Sequence, residues 1–515
     1  MSASLRSSES GSGSAPDPTA PGVGAGTLSG FAALGAGTLA TAITTPIVLH
    51  ALGSARFGLW VALVAAVSLT GLFDFGFSQA VARFTGEHRA TRNTTAVNAY
   101  IVATGAAYIV AFILVLIATF AIGMLFPLFV RMTVAERGSA LAGAVLIGTA
   151  TALGLWMGFF TSILHAHQRL PLANLVRVGY WVSFIVLTIA AAVAGLGIIG
   201  LAAAMAISAC LSCIALVILT RLTVPQLKIR RPQPIHLRQA ARYSAFMFII
   251  SAGTAVVFQT DTLVIAGFIG TAAVSAYAIT LRVTRGLTAF LHKVPDVLFP
   301  FYAGMRARGD LAAMRQNYLL TARLEIAGAV VLVLGLSFAG RPLIAAWVGA
   351  ANLSSVSVFT LAVVLVLMEA VVHPGAILAA ATGGERRMAL FNNAEAVLNL
   401  GLSIVFVIRF GVVGVIGATI LAQALTNLWF LPVWAMRSLA ISVREYATAT
   451  FVRTAIPAAC GVVAGLLVVR IVNTQIGSFM AAIVAACVFV AVYIRTGAGL
   501  EERAWIRQWA GDRAA

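Results

Sequence analysis

The chain has 515 residues, of which 61% are hydrophobic and only 10% are charged. Soluble domains carry about 25% charged residues, so this composition excludes a soluble protein and indicates a membrane protein with several spans. The net charge of +18 would suggest nucleic acid in a soluble protein. Here it is explained by Lys and Arg that collect in cytoplasmic loops, and no nucleic-acid partner is expected.

Residues 1–27 are rich in Ser, Gly, Ala and Pro and are predicted to form a disordered cytoplasmic tail. Apolar runs then follow one another, each long enough to cross about 30 Å of hydrocarbon as a helix. They predict an all-α polytopic membrane protein with about fourteen transmembrane helices. The spans are expected near residues 28–50, 57–82, 97–126, 139–164, 172–194, 197–220, 241–268, 272–300, 317–338, 354–380, 388–409, 412–436, 451–472 and 476–495.

Basic residues are distributed unequally between the connections on the two sides. One set of alternate connections carries Arg89, Arg169, Arg306, Arg386 and Arg444 together with further basic residues, and the opposite set carries few. Because this asymmetry never reverses along the chain, both termini are expected in the cytoplasm.

A basic connection at residues 221–239 divides the chain after the sixth span. The segments LGSARFGLW (52–60) and IGTAAVSAY (269–277) align at a shift of 217 residues and each opens the second helix of its half. An even number of helices per half makes such a repeat parallel. We therefore expect two pseudo-symmetric six-helix lobes plus two C-terminal helices. The expected units are an N-lobe at 28–220, a C-lobe at 240–437, two helices at 438–496 and a cytoplasmic tail at 497–515.

The eighth predicted span carries five polar residues that fall within an arc of about 100° on one helix side. They are Arg282, Arg285, His292, Lys293 and Asp296. A charge at the bilayer centre costs about 3 kcal/mol, so the stripe predicts the wall of a central cavity. Its two guanidinium groups suit phosphate, with neutralisation by buried acids as the alternative. For Lys293 and Asp296 an interfacial ion pair is the alternative.

Two carboxylates in other spans are candidates for ion or proton coupling. Asp74 lies in the second span, with Arg83 further along as a possible substrate contact, and Asp261 lies in the seventh span. For both acids the alternative is a structural role in a hydrogen-bonded or ion-pair network.

The tenth span contains Glu369, His373 and Pro374. Glu and His four residues apart share a helix face, and His titrates near neutral pH, so a proton relay is one interpretation. The other is a hinge at the proline with a satisfied polar pair.

The sequence carries no Walker A, HExxH or strand-borne GxSxG motif, so no enzyme activity is expected. The four cysteines lie in apolar runs without a neighbouring second pair, which indicates core residues rather than a metal or redox site. No cofactor and no metal ion is expected.

Several segments together resemble bacterial O-antigen and polysaccharide flippases of the multidrug/oligosaccharidyl-lipid/polysaccharide exporter superfamily. They are LGSARFGLW with LFDFGFSQAVARF in the second span, ILHAHQRLPLANLVR (163–177), DTLVIAGFIGTAAVSAYAITLRV (261–283) and VLFPFYAGMRARGD (297–310). The resemblance covers most of the first ten spans and thins towards the C-terminus.

This resemblance implies a transporter that moves an undecaprenyl-pyrophosphate-linked oligosaccharide across the bacterial inner membrane by alternating access. It implies that Arg282 engages the pyrophosphate or acidic sugars, with Arg285 assisting. Membrane lipids and, among proteins, a glycan polymerase or glycosyltransferases are the expected partners. The first span has no charged residue between Leu28 and Leu49, unlike many drug exporters and lipid II flippases of the superfamily. Cation-coupled multidrug export and a non-transporting scaffold for glycan assembly remain as alternatives.

Overall fold

A computed structural model describes residues 23–90, 93–225 and 234–497. Within these ranges the chain forms helices joined by short connections, and no strand occurs among them. The all-α fold predicted from the sequence is thereby confirmed. Most of the two predicted tails, and residues 226–233 of the predicted linker, lie outside the described residues.

Among the residues that the structure describes, the first half contains seven α-helices, four of which are longer than 25 residues. They are α1 (Val23–Leu52), α2 (Ser54–Ser68), α3 (Phe77–Ala90), α4 (Thr94–Phe129), α5 (Val134–Ala166), α6 (Leu170–Val193) and α7 (Gly197–Thr223).

The second half contains eleven α-helices of more varied length in the described residues. They are α8 (Pro234–Phe268), α9 (Thr271–Leu291), α10 (Lys293–Ala307), α11 (Leu311–Gly335), α12 (Arg341–Val348), α13 (Val356–Thr382), α14 (Glu385–Leu425), α15 (Asn427–Ser438), α16 (Val443–Ala447), α17 (Arg453–Ile471) and α18 (Gln475–Val492).

Eleven helical stretches in the described chain are long and apolar enough to cross a membrane. One of them, Glu385–Ser438, has 54 residues and as a straight helix would measure about 80 Å, far more than a bilayer. Its backbone turns at Gly411, where φ is 59° and ψ is −139°, and Asn427 Nδ2 donates to Glu395 Oε2 at 2.6 Å. The segment therefore folds back on itself as two antiparallel helices. The polytopic fold is confirmed, and the count of fourteen spans stays a prediction.

Two predicted spans are interrupted within the membrane. The second contains a 3₁₀ segment from Leu69 to Asp74 between α2 and α3, followed by left-handed backbone at Phe75 and Gly76. The eighth is divided at His292, where α9 ends and α10 begins. Both breaks lie beside charged residues that the sequence had marked as candidates.

The two copies of the repeated segment have the same local conformation and pack against each other. Gly53 and Gly270 each precede a helix with positive φ, 73° and 125° respectively. At Gly58 of α2 a Cβ atom would come within 1.7 Å of the Thr271 carbonyl oxygen on α9, so the two backbones touch there. This contact joins the two halves of the chain, and their division into two lobes stays a prediction.

Candidate functional site

Of the two charged residues on α9, Arg282 is the one that lies farther from any carboxylate. Its Nη1 donates to Thr45 Oγ1 of α1 at 2.7 Å, and its guanidinium carbon lies 5.1 Å from the ring centre of Phe57 on α2. Within the described part of the chain, no carboxylate oxygen lies within ion-pair distance of it. The positive charge is thus held by a hydroxyl and an aromatic face, and no anion of the described chain neutralises it.

Arg282 borders a cavity of about 760 Å³, here called the α1 cavity, which lies between α1, α6, α9, the start of α10 and α12. Of the described residues that line it, three are cations, Arg177, Arg282 and Lys293, and none is acidic. Trp181 and Trp347 also line it. Such a cavity offers positive charge and flat apolar surfaces to a ligand that brings negative charge.

Helix α1 forms one wall of this cavity and is held by tryptophans from both halves of the chain. Pro46 has no N–H, so the Ala42 carbonyl four residues earlier loses its helical donor. Trp347 Nε1 of α12 donates to this carbonyl at 2.8 Å. On the other side, the Trp181 ring of α6 packs directly on Gly37 of α1. A Cβ atom at that position would lie only 3.0 Å from the ring.

Arg285 belongs to a different cavity. This second cavity, here called the histidine cavity, measures about 490 Å³ and lies between α8, α9, α13, α14 and α15. The Arg285 guanidinium carbon lies 4.5 Å from the ring centre of Phe258. The predicted single cationic wall is therefore divided by α9, with Arg282 and Lys293 on one cavity and Arg285 and His292 on the other.

Two histidines meet face to face beside the histidine cavity. The rings of His292 and His373 are stacked with centroids 4.0 Å apart. His292 Nδ1 lies 3.1 Å from Glu325 Oε1 of α11, and its Nε2 lies 3.8 Å from Glu369 Oε2 of α13. The predicted pairing of Glu369 with His373 on one helix face is thus replaced by contacts between helices.

His373 contacts an acid on another element as well. Its Nε2 lies 3.2 Å from Asp296 Oδ1, and Lys293 Nζ donates to Asp296 Oδ2 at 2.8 Å. Lys293 therefore lines the α1 cavity while its ammonium group is already paired. This is the ion pair that the sequence offered as the alternative for Lys293 and Asp296.

Asp261 is almost completely buried on α8 and is surrounded by hydrogen-bond donors. Its carboxylate accepts from Thr419 Oγ1 at 2.8 Å, from Tyr277 Oη at 3.0 Å and from Asn399 Nδ2 at 3.1 Å. Ser403 Oγ lies 3.4 Å from it. These contacts form a network across α8, α9 and α14, the structural role considered for this acid.

Asp74 and Arg83 lie apart from both cavities. Asp74 is the last residue of the 3₁₀ segment and accepts hydrogen bonds from Tyr108 Oη and, at 2.9 Å, from Ser78 Oγ. Arg83 lies on α3, with its guanidinium carbon 5.8 Å from the ring centre of Phe84. The structure does not bring Arg83 to Arg282, and the proposed substrate role of Arg83 stays a prediction.

Sequence reasoning missed two charged residues of these sites. Arg177 lies in the fifth predicted span and lines the α1 cavity; a basic residue inside a span was the available signal. Glu325 lies in the ninth predicted span with no exposed side-chain surface, and an intramembrane carboxylate was again the signal.

Comparisons with known proteins found one family model and several solved structures that match this chain. A family model described as "Polysaccharide biosynthesis protein" matches residues 23–305. No curated protein sequence matches the chain.

Solved structures share the fold over most of their length. The lipid II flippase MurJ in an inward closed conformation superposes with a TM-score of 0.69 at 12% identity, covering 91% of this chain and 97% of that chain. An inward-facing multidrug resistance MATE family transporter of the MOP superfamily gives 0.63 at 15% identity, covering 81% and 94%. A MOP superfamily transporter from Pyrococcus furiosus gives 0.59 at 14% identity, covering 81% and 95%. At these identities the likeness shows the fold alone.

Proposed function

The chain belongs to the polysaccharide biosynthesis protein family, and from this premise we propose that it flips an undecaprenyl-pyrophosphate-linked oligosaccharide across the bacterial inner membrane. The observation that carries the proposal is the α1 cavity, whose lining includes three cations and no acid. A ligand that enters such a cavity must supply the negative charge itself.

The pyrophosphate group meets the chemical requirement of Arg282. A guanidinium group binds phosphate oxygens through two parallel hydrogen bonds, and such charge-assisted bonds are stronger than neutral ones. Arg282 has only a threonine hydroxyl and an aromatic face as partners in the described chain. Bound pyrophosphate would offset part of the cost of burying the arginine, and Arg177 would add a second cation from α6.

The size of the α1 cavity suits a headgroup rather than a whole lipid. Its volume of about 760 Å³ lies within the range of about 300–1,000 Å³ that small-ligand pockets occupy. The pyrophosphate and the first sugars would enter it, with Trp181 and Trp347 as flat surfaces beside them. The polyprenyl tail would remain in the bilayer.

Transport requires the cavity to open on each side in turn. In the alternating-access scheme the two halves rock about their interface, here the contact between α2 and α9.

Asp74, Asp261, Glu369 and His373 are the proposed coupling groups for protons or sodium ions. Both termini are proposed to lie in the cytoplasm, and a glycan polymerase or glycosyltransferases are the proposed protein partners.

Cation-coupled multidrug export is the second candidate, because a MATE transporter shares the fold over 81% of this chain. A cationic drug would meet Arg177 and Arg282 and no acid among the described lining residues of the α1 cavity, with Lys293 already paired with Asp296, so the charge of the cavity favours the glycan lipid. A scaffold without transport would have no use for an open cavity of this size. Overexpression should accordingly leave resistance to cationic dyes unchanged, whereas a rise in resistance would favour the drug exporter.

The Arg282→Ala variant tests the proposed function in cells that lack the chromosomal gene. We expect display of the surface glycan to be lost and the lipid-linked precursor to accumulate, with the variant present in the membrane at the normal level. Arg409→Ala is the matched control, because Arg409 is exposed. Normal display from Arg282→Ala would refute the headgroup site.

A further inference from the structure

A group of metal-ligating side chains lies in the second half, apart from the α1 cavity; it includes His373, which would serve here as a metal ligand instead of a coupling group. His292 lies between α9 and α10, Glu325 on α11 and His373 on α13. One ligand atom from each lies within 4.8 Å of the others. We propose that these three residues bind a divalent transition-metal ion of the zinc type.

The donor set matches the chemistry of such an ion. Two imidazole nitrogens with a carboxylate oxygen are ligands that zinc prefers, and no thiolate is needed. Ligand atoms of a tetrahedral zinc ion lie about 3.4 Å apart. His292 Nδ1 and Glu325 Oε1, 3.1 Å apart, nearly have this spacing already. The His373 ring is stacked on that of His292 with centroids 4.0 Å apart, so it would turn out of this stack to bring its nitrogen to the ion.

Glu325 supplies an independent reason for a cation at this place. Its side chain has no exposed surface, and its second oxygen, Oε2, is buried without a hydrogen-bond partner among the described residues. An unsatisfied carboxylate oxygen in a membrane interior is costly, more so than an unpaired neutral group. A metal ion bound beside Glu325 satisfies it.

Further carboxylates are placed as the outer partners of the two histidines. Histidines that bind a metal usually donate their other ring N–H to a carboxylate, carbonyl or water, which fixes the ring. His292 Nε2 faces Glu369 at 3.8 Å, and His373 Nε2 faces Asp296 at 3.2 Å. Lys293 in turn holds Asp296. The stacked rings are thus oriented from outside the triad.

The histidine cavity gives the ion a path to the triad, because His292 and His373 both line it. Among the other lining residues, Arg285 opposes a cation, whereas Glu369 and Glu395 attract one. A bound ion would tie α11 and α13 to the junction of α9 and α10. It would thereby fix the break in the helix that also carries Arg282.

Zinc binding is tested on the full chain in lipid nanodiscs after treatment with a chelator and removal of any affinity tag. Titration with zinc chloride should load about one ion per chain, measured by elemental analysis after gel filtration. Zinc should also raise the unfolding temperature. The His292→Gln and Glu325→Gln variants should each bind at least about tenfold more weakly.

His165→Gln is the matched control, since His165 lies on α5 in the other half of the chain, and it should bind zinc as the unchanged protein does.

Substitution with cobalt gives a second readout that needs no variant: visible absorption bands typical of nitrogen and oxygen ligands should appear and vanish on adding zinc. No stoichiometric metal in the unchanged protein would overturn the proposal. Equal binding by His292→Gln and the control would do the same. These outcomes do not depend on the transported substrate.

Discussion

The two cavities on either side of α9 differ in whether acidic residues line them together with basic ones. Arg282 borders the α1 cavity, where no described lining residue is acidic, and its guanidinium contacts a hydroxyl and an aromatic ring that line a separate small cavity of about 110 Å³. In the histidine cavity, the imidazoles are enclosed by carboxylates from three elements. Under the proposed function the first site is completed by an anion from outside, whereas the second carries its own anions and is suited to protons or a cation.

The difference arises within a single turn of helix. Arg282 and Arg285 are three residues apart and point in directions about 60° apart around α9. That angle is enough to send one side chain towards α1 and the other towards α8, because α9 lies between the two cavities. Charges that are neighbours in sequence therefore serve different sites.

The largest effect is expected from giving Arg282 an acidic partner within the protein. Thr45→Glu places a carboxylate at the hydroxyl that Arg282 now contacts, beside a small cavity of about 110 Å³. An internal ion pair would compete with the substrate, and we expect transport to fall about 100-fold, as when a buried charge pair at an interface is broken. Flipping of a fluorescent lipid-linked oligosaccharide in proteoliposomes measures it.

Thr45→Gln is the control for this change, since its amide oxygen accepts from Arg282 without bringing a charge. It should transport within about threefold of the unchanged protein, because neutral hydrogen bonds of this kind differ by well under 1.4 kcal/mol. Equal loss in the two variants would mean that the size of residue 45, and not the charge balance of the cavity, is decisive.

A smaller effect is expected from removing acids of the histidine cavity one at a time. Glu325 has no exposed surface, whereas the Glu369 side chain is 28% exposed and lies farther from His292. Breaking a buried pair costs about 3 kcal/mol, and a partly exposed one costs about 1 kcal/mol or less. Glu325→Gln should thus lower the free energy of unfolding more than Glu369→Gln, measured by denaturation in detergent. The reverse order would contradict the assignment of Glu325 as the inner acid.

The smallest effect concerns the wall of the α1 cavity. Trp347→Phe removes the N–H that satisfies the Ala42 carbonyl, at a cost of about 1 kcal/mol. With Pro46→Ala the carbonyl regains its helical donor, so the tryptophan substitution should then cost almost nothing. A double-mutant cycle on unfolding free energy isolates this coupling. Additive effects of the two substitutions would show that Pro46 is not the reason for the Trp347 contact.

Local patterns predicted much of this fold. Long apolar runs gave the helices, and the backbone turn at Gly411 falls between the eleventh and twelfth predicted spans. The repeated segments identified the α2–α9 pair, because Gly53 and Gly270 each demand the same unusual backbone in front of a helix.

The sites were harder to predict because they depend on which helices meet. The helical projection of the eighth span assumed one continuous helix, but α9 ends at Leu291, so the projection does not give the directions of the side chains beyond it. Glu325 is four turns into the polar start of α11, in no recognisable motif, and only the packing of α11 against α9 and α13 brings it to His292. Arg282 and Arg285 likewise border different cavities because of where α1 and α8 pack against α9. No pattern in a single sequence predicts that packing.

The main-chain contact at Gly58 has a mechanical consequence. Where two helices meet through side chains, the gap between them adjusts as rotamers change, but a glycine against a carbonyl leaves nothing to compress. The backbones of α2 and α9 are therefore in contact at this point and cannot approach further. Any separation of the two helices there must begin by moving one backbone away from the other. Even a single methyl group at position 58 would hold the two helices apart. A substitution at this glycine therefore reports how closely α2 and α9 pack.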